Sequence, residues 1–368
     1  MSTTTATTKA GRIARLRTAM AAQGLDAVLV TSPENRAYYS GFRGSAGALL
    51  ISATDAVLAT DFRYTEQAGG QAPDYRVEEM RSGRDWLKDV LNAWGGTRRI
   101  GFEDDDVSVA THTRFLKRLN DLDPAPELAP IGQMASTLRA VKEPGELEVI
   151  QLAIDLADGA MERVAADLRP GMTERQVAWA MEVAMREAGA DALSFETIVA
   201  AGPNGAKAHH HPTDRPLAAG EGVIIDMGAL YDGYCSDITR TFFLGKPDAK
   251  FRAIYDTVLA AQETAEATAL AGMTGKAIDG LARAVIEKAG YAEAFGHSLG
   301  HGIGVAVHEL PGVGPNSEEP VSDGMVFSVE PGIYLTGWGG VRIEDLVVME
   351  NGRPRVLTRA HKRDAVAL

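Results

Sequence analysis

Apolar positions divide the chain into two textures. In the first third, Arg12 to Gln23 repeats at helical intervals, and Ala27 to Val30 (AVLV), Ala48 to Ile51 (ALLI) and Ala56 to Leu58 read as buried strands. Trp86 to Trp94 then returns to helical spacing. The alternation predicts a compact α/β domain over residues 11–132. Three prolines in LDPAPELAPIG, Leu122 to Gly132, predict a linker at its end. Residues 1–10, mostly Ser, Thr and Ala, predict a disordered tip.

Residues 133–368 predict a second, larger domain with longer amphipathic helices. Glu143 to Leu168 begins at Pro144 and stops before Arg169-Pro170-Gly171. It is followed by Thr173 to Ala188, where Thr173 and Gln176 form a capping box. Strands are expected at Thr197 to Ala201, Gly222 to Met227 and Tyr234 to Leu244. A second helical pair, Phe251 to Leu270 and Gly275 to Gly290, then leads to a strand-rich end from Met325 to Leu357. The order helix, helix, strands thus occurs twice, each time opened by Gly-Met-Thr at Gly171 to Thr173 and Gly272 to Thr274, which points to an internal duplication.

Asp226 and Asp237 interrupt this apolar pattern. Asp232-Gly233 is a tight-turn pair, so Gly222 to Leu244 reads as a β-hairpin with a two-residue loop at 231–232 or 232–233. Because the two aspartates are an odd number of residues apart, they share a face, directly opposite or one step diagonal. Two carboxylates that close in apolar surroundings repel, and one must take a proton unless a cation lies between them. One of the two facing water as an edge residue is the alternative.

Other anomalies match. Of eight histidines in the chain, His297, His301 and His308 fall within twelve residues of the glycine-rich FGHSLGHGIGVAVHEL. The glycines disfavour a helical zinc pair at His297 and His301, so one ligand histidine is expected, with separate roles for the others. Glu330 ends the apolar run before Pro331-Gly332, and Glu344 is expected inside another apolar strand. Asp226, Asp237, His301, Glu330 and Glu344 together offer four carboxylates, one imidazole and no thiolate. That donor set suits manganese, with cobalt or zinc as alternatives, in a two-metal site. Two divalent ions would balance the four carboxylates.

The formal net charge of −13 argues against nucleic acid or an anionic membrane as partner. The single cysteine, Cys235, cannot form an internal disulfide. With no signal peptide or membrane-spanning run, a cytoplasmic protein is expected.

The ordered segments IIDMGALYDGYCSDITRTF, GHSLGHGIG, VHE, SVEPGIY and GGVRIED resemble the pita-bread metallopeptidases, which include methionine aminopeptidase, aminopeptidase P and prolidase. The resemblance spans Leu138 to Leu357. It implies an α+β catalytic domain with pseudo-twofold halves, preceded by a smaller α/β domain of creatinase type. It further implies that Asp226 chelates one metal, that His301 and Glu330 hold the other, and that Asp237 and Glu344 bridge them. The complete ligand set weakens the metal-free chemistry of creatinase, and weakens further a non-catalytic binding role on the same fold.

ENRAYYSGFRGSAGALLIS and ATDFRYTEQA resemble the N-terminal domain of proline-specific peptidases, which methionine aminopeptidases lack. The implied substrates are small peptides with proline second, cut by an Xaa-Pro dipeptidase (prolidase) or, on longer peptides, by an aminopeptidase P. Glu330 is then the expected proton acceptor and later donor. The resemblance places His308 at the oxyanion, His297 over the substrate side, and His209, rather than His210 or His211, in the pocket. Arg342 would orient ligands or the proline carboxylate. Arg63, with Tyr64 beside it, would capture that carboxylate in a dipeptidase, unless Arg63 pairs with Asp61 instead. A homodimer is the family expectation.

Overall fold

The computed structural model describes residues 9–362. Residues 1–8 of the expected tip lie outside the described residues, whereas Lys9 and Ala10 already belong to the helix Lys9–Ala22. The chain divides after Arg139 into two compact units, seven residues beyond the boundary expected at 132.

The N-terminal unit is built on a six-stranded mixed sheet. Ala27–Val30 lies at its centre, between the antiparallel Ala48–Ser52 and the parallel Arg99–Phe102. The expected linker is a correction. Glu127–Pro130 is a strand, paired in parallel with Arg99–Phe102 at the sheet edge, where a proline costs no ladder hydrogen bond on the open side.

In the second unit the two Gly-Met-Thr segments have the same structure. Gly171 and Gly272 adopt positive φ of 93° and 89°, and Thr173 and Thr274 cap the helices Glu174–Ala188 and Gly275–Lys288 through their side chains. Gly171 N–H donates to Leu217 O and Gly272 N–H to Val321 O, while Met172 O and Met273 O accept the return bonds. Each capped helix packs on a preceding longer one, Pro144–Ala165 or Ala249–Thr268. Each pair backs its own antiparallel sheet: Ile198–Ala201, Gly222–Met227 and Ile238–Phe243 in one half, and a five-stranded sheet containing Gly300–Gly302, Val326–Val329 and Asp345–Glu350 in the other. These are the pseudo-twofold halves of a pita-bread fold. Their apolar cores are separate, one around Met181 and Ile225, the other around Ile278 and Phe327.

The hairpin holding Asp226 and Asp237 turns at Asp232-Gly233, whose φ angles of 44° and 79° are the two positive values a type I′ turn requires. The strand expected over Tyr234 to Leu244 is broken into Tyr234–Cys235 and Ile238–Phe243. At the break the hairpin passes from one sheet to another. Gly228 permits this, because a Cβ there would lie 1.9 Å from Ser236 O.

Arg240 ties the second unit together. Its buried guanidinium donates to Asp345 Oδ1 at 2.8 Å, Glu344 O at 2.5 Å and Ala360 O at 2.7 Å, and Lys362 Nζ pairs with Asp345 from the other side. Arg240→Met takes one of two cations from the buried Asp345 and the donor from Glu344 O and Ala360 O, so it is expected to lose about 3–5 kcal/mol of unfolding free energy in urea titration. A loss under about 1 kcal/mol would mean Lys362 alone suffices for Asp345.

Candidate metal and peptidase site

Five elements of the second unit bring the acids and histidines together around a cavity of about 610 Å³. Asp226 lies within Gly222–Met227, and Asp237 at the hairpin break just before Ile238–Phe243. Thr239 is directly opposite Asp226, which places Asp237 one diagonal step away on the same face, the second of the two arrangements the parity allowed. His301 is in Gly300–Gly302, and Glu330 follows Val326–Val329. Glu344 corrects an expectation: it sits between Gly339–Arg342 and Asp345–Glu350, not inside a strand. Carboxylates at strand ends escape the strict alternation of a pleat and can be aimed at a common point.

Ligand atoms of Asp237, His301 and Glu344 all lie within 4.8 Å of one another. His301 Nε2 is 3.6 Å from Asp237 Oδ2 and 3.4 Å from Glu330 Oε1. The tautomer follows from the other ring nitrogen. Nδ1 meets Gly302 O at 3.1 Å, and since a carbonyl only accepts, Nδ1 carries the proton and Nε2 offers its lone pair to the acids.

The carboxylates are uncomfortable without a cation. Burial, then Glu344 and Asp226, push Asp237 well above the usual carboxylate range. Burial, then Glu330 and Asp226, do the same to Glu344, and burial raises Glu330 to about 7. Asp226 Oδ1, Asp237 Oδ1 and Glu344 Oε1 are buried with no hydrogen-bond partner. Three orphaned carboxylate oxygens, on residues that line one cavity with His301, fit divalent metal, because a cation would satisfy such oxygens and reverse the rises in pKa.

Arg342 organises the surroundings. Its guanidinium donates to Asp226 Oδ2 at 2.5 Å, Tyr334 Oη at 2.9 Å, Thr239 Oγ1 at 3.0 Å and Ala208 O at 3.3 Å. Thr239 Oγ1 in turn donates to Glu344 Oε2 at 2.7 Å. Ser328 Oγ donates to Glu330 Oε1 and accepts from His301 N–H. Sequence reasoning missed Thr239, Ser328 and Tyr334. The first two lie two residues from Asp237 and from Glu330, and Ser328 also interrupts an apolar run, which is a legible signal, whereas Tyr334 had none.

The remaining histidines differ. His297 Nδ1 donates to Ser298 O at 2.7 Å, so Nε2, 2.9 Å from Tyr334 Oη, accepts from the phenol. Burial lowers its pKa to about 4, which keeps it neutral. The His308 ring lies against that of His301 with centroids 4.2 Å apart, and burial followed by His301 lowers its pKa. His209, His210 and His211 all line the cavity, yet His210 is buried against Glu174 Oε2 at 2.9 Å. His211 is exposed beside Glu196. Glu174 also accepts from Ala201 N–H, Asn204 Nδ2, Thr213 N–H and Thr213 Oγ1, which anchors the segment bearing His209.

In the N-terminal unit Arg63 makes the alternative pairing. Its Nε and Nη2 donate to Asp61 at 2.9 and 2.7 Å. Tyr64 Oη is 2.7 Å from Ser45 Oγ.

A peptide hydrolase is what such a carboxylate and histidine centre on a duplicated fold defines. Residues 148–351 match the metallopeptidase family M24, and residues 12–141 match the creatinase/prolidase N-terminal domain. The chain belongs to the M24 metallopeptidases and is a metal-dependent peptide hydrolase. It is 35% identical over 349 residues to the Xaa-Pro dipeptidase of Pyrococcus furiosus, covering 94% of this chain and 97% of that one. The structure of an Xaa-Pro dipeptidase from Bacillus anthracis superposes with a TM-score of 0.92 at 37% identity, covering 98% of this chain and 100% of that one. That of an X-Pro aminopeptidase from Thermotoga maritima superposes with a TM-score of 0.90, also at 37% identity, covering 97% and 99%. Among the described residues no helix is long and apolar enough to cross a membrane.

Proposed function

We propose that the protein is a two-metal exopeptidase hydrolysing the Xaa-Pro bond, of prolidase type. The observation that carries the two-metal reading is the set of orphaned oxygens on Asp226, Asp237 and Glu344, in the cavity that His301 also lines. Asp226, with the bridging Asp237 and Glu344, would hold one ion, and His301 and Glu330, with the same bridges, the other. Manganese is the first choice for oxygen-rich ligands, with cobalt or zinc as alternatives. Such ions would supply Lewis acidity toward a carbonyl and lower the pKa of water to near neutrality.

The chain's own residues do the rest. Glu330, held by Ser328, takes the proton of the attacking water and returns it to the proline nitrogen. His308 donates to the carbonyl oxygen as negative charge develops there. Arg342 keeps Asp226 in place, and His297 and His209 border the substrate. The tertiary Xaa-Pro amide has no N–H for strand-like backbone pairing, so recognition falls to the peptide ends. Arg63 and Tyr64 are our proposed contacts to the proline carboxylate. Arg63 would exchange the Asp61 carboxylate for the substrate's, which solvent screening of an exposed ion pair makes easy.

Prolidase is favoured over aminopeptidase P by the full-length likeness to Xaa-Pro dipeptidases. The X-Pro aminopeptidase neighbour keeps the second reading alive. With Mn2+ present, an Xaa-Pro dipeptide is expected to give the higher kcat/KM by at least about tenfold over the matching Xaa-Pro-Yaa tripeptide, a difference of about 1.4 kcal/mol in transition-state binding. The reverse preference would assign the chain to the aminopeptidases. We also infer a cytoplasmic homodimer, from the lone Cys235 and the family resemblance. Sedimentation at the monomer mass would refute the dimer.

A further inference from the structure

A charged pair that none of these roles uses lies beneath the His308 loop. Lys142 Nζ and Glu309 Oε1 form an ion pair whose side chains are only 1% and 3% exposed. Both ends are anchored. Lys142 N–H donates to Gly324 O at 2.8 Å, and Val141 bridges to Met325. Glu309 lies opposite Gly302, next to the ligand His301, where the two strands shift register. Its second oxygen, Oε2, accepts from Ala306 N–H at 3.3 Å and so closes the turn that presents His308. The loop is moulded onto the pair, since a Cβ at Gly304 would lie 2.5 Å from Glu309 Oε1 and 3.0 Å from Lys142 Cε.

Stability does not explain this arrangement. Apolar residues of similar volume usually do as well as a buried ion pair or better. What a fully desolvated pair provides is a unique geometry, because a shifted loop would separate two charges with no water to receive them. His308 is the residue next to Glu309, and its ring is in contact with that of His301.

We propose that Lys142 and Glu309 are positioning residues for His308: their ion pair fixes the 304–309 loop so that the His308 imidazole is held over the reacting carbonyl. The role of His308 rests on the peptidase reading, but its placement by the pair does not.

The test compares Lys142→Met and Glu309→Gln with the double variant, each measured by Tm, metal content, kinetics on an Xaa-Pro dipeptide and the His308 ring resonances of the metal-free protein. Each single variant breaks the pair while keeping one buried charge and is expected to lower Tm, whereas the double variant removes both charges and recovers most of that loss. If the pair positions His308, the double variant still binds metal in parent stoichiometry. Its kcat falls about a hundredfold, as expected for a group displaced by about 1 Å, while KM moves less than about twofold because ground-state binding is untouched. Its His308 resonances shift and broaden, and Lys142→Arg, which keeps the pair, restores both resonances and kcat. A double variant that regains kcat together with Tm, or keeps the parent His308 resonances, overturns the proposal. Should the parent cleave no peptide, the peptidase reading fails, and the His308 resonances still decide the role of the pair.

Discussion

Asp237→Ala is expected to give a folded protein that binds neither metal ion and has lost Xaa-Pro hydrolysis, yet is more stable than the parent when both are metal-free. The two effects share one cause. Burial, Glu344 and Asp226 all disfavour the Asp237 carboxylate, so without a cation the group is a cost that alanine removes. With metal present the sign reverses. An ion at a thousandfold excess over its Kd stabilises the native state by about 4 kcal/mol, and the variant cannot draw on it because a lost bridge releases both ions. Thermal unfolding with and without chelator checks both halves: a large metal-dependent rise in Tm for the parent, none for the variant, and the variant higher in chelator. Glu344→Ala is expected to match it, since burial, Glu330 and Asp226 raise that group in the same way. Near-normal turnover with full metal content in either variant would remove the bridging assignment.

Glu330→Gln should separate proton transfer from metal binding. The amide keeps the volume and one oxygen that can accept from Ser328 Oγ, and a carbonyl oxygen can still ligate. Metal content is therefore expected to fall far less than in Asp237→Ala. The amide cannot take a proton from water, and kcat should drop by about 10²–10⁴-fold, the usual contribution of a positioned general base. KM should stay close to the parent value, because the interaction lost is made only in the transition state. A variant with intact metal and kcat within about threefold of the parent would move the proton acceptor elsewhere, since that is far less than a general base contributes.

Much of the site was legible locally. The odd separation of Asp226 and Asp237 announced a shared face, and Asp232-Gly233 announced the turn that fixes it. The acids stood out because apolar strands do not carry them without a reason. Less visible was where strands stop. The break at Ser236 and Asp237 depends on Gly228 approaching a carbonyl, and the strand Glu127–Pro130 was hidden among prolines that an edge tolerates. Arg63 was legible only as a choice between substrate and Asp61, and the fold took Asp61.

By itself the sequence determined what local periodicity and residue chemistry encode: helix and strand positions, a duplicated order of elements, caps at Thr173 and Thr274, and a donor set suited to divalent metal. These follow from how side chains divide between core and water over a few residues, which leaves a period in the chain. Only the tertiary structure decided the partners. Arg342 reaches Asp226 across 116 residues, and Lys142 reaches Glu309 across 167. His209, His210 and His211, adjacent in sequence, differ because Glu174 claims only the middle one. Such pairings depend on sheet register and packing between distant segments, and a contact closed over so long a loop leaves no periodic trace at either end.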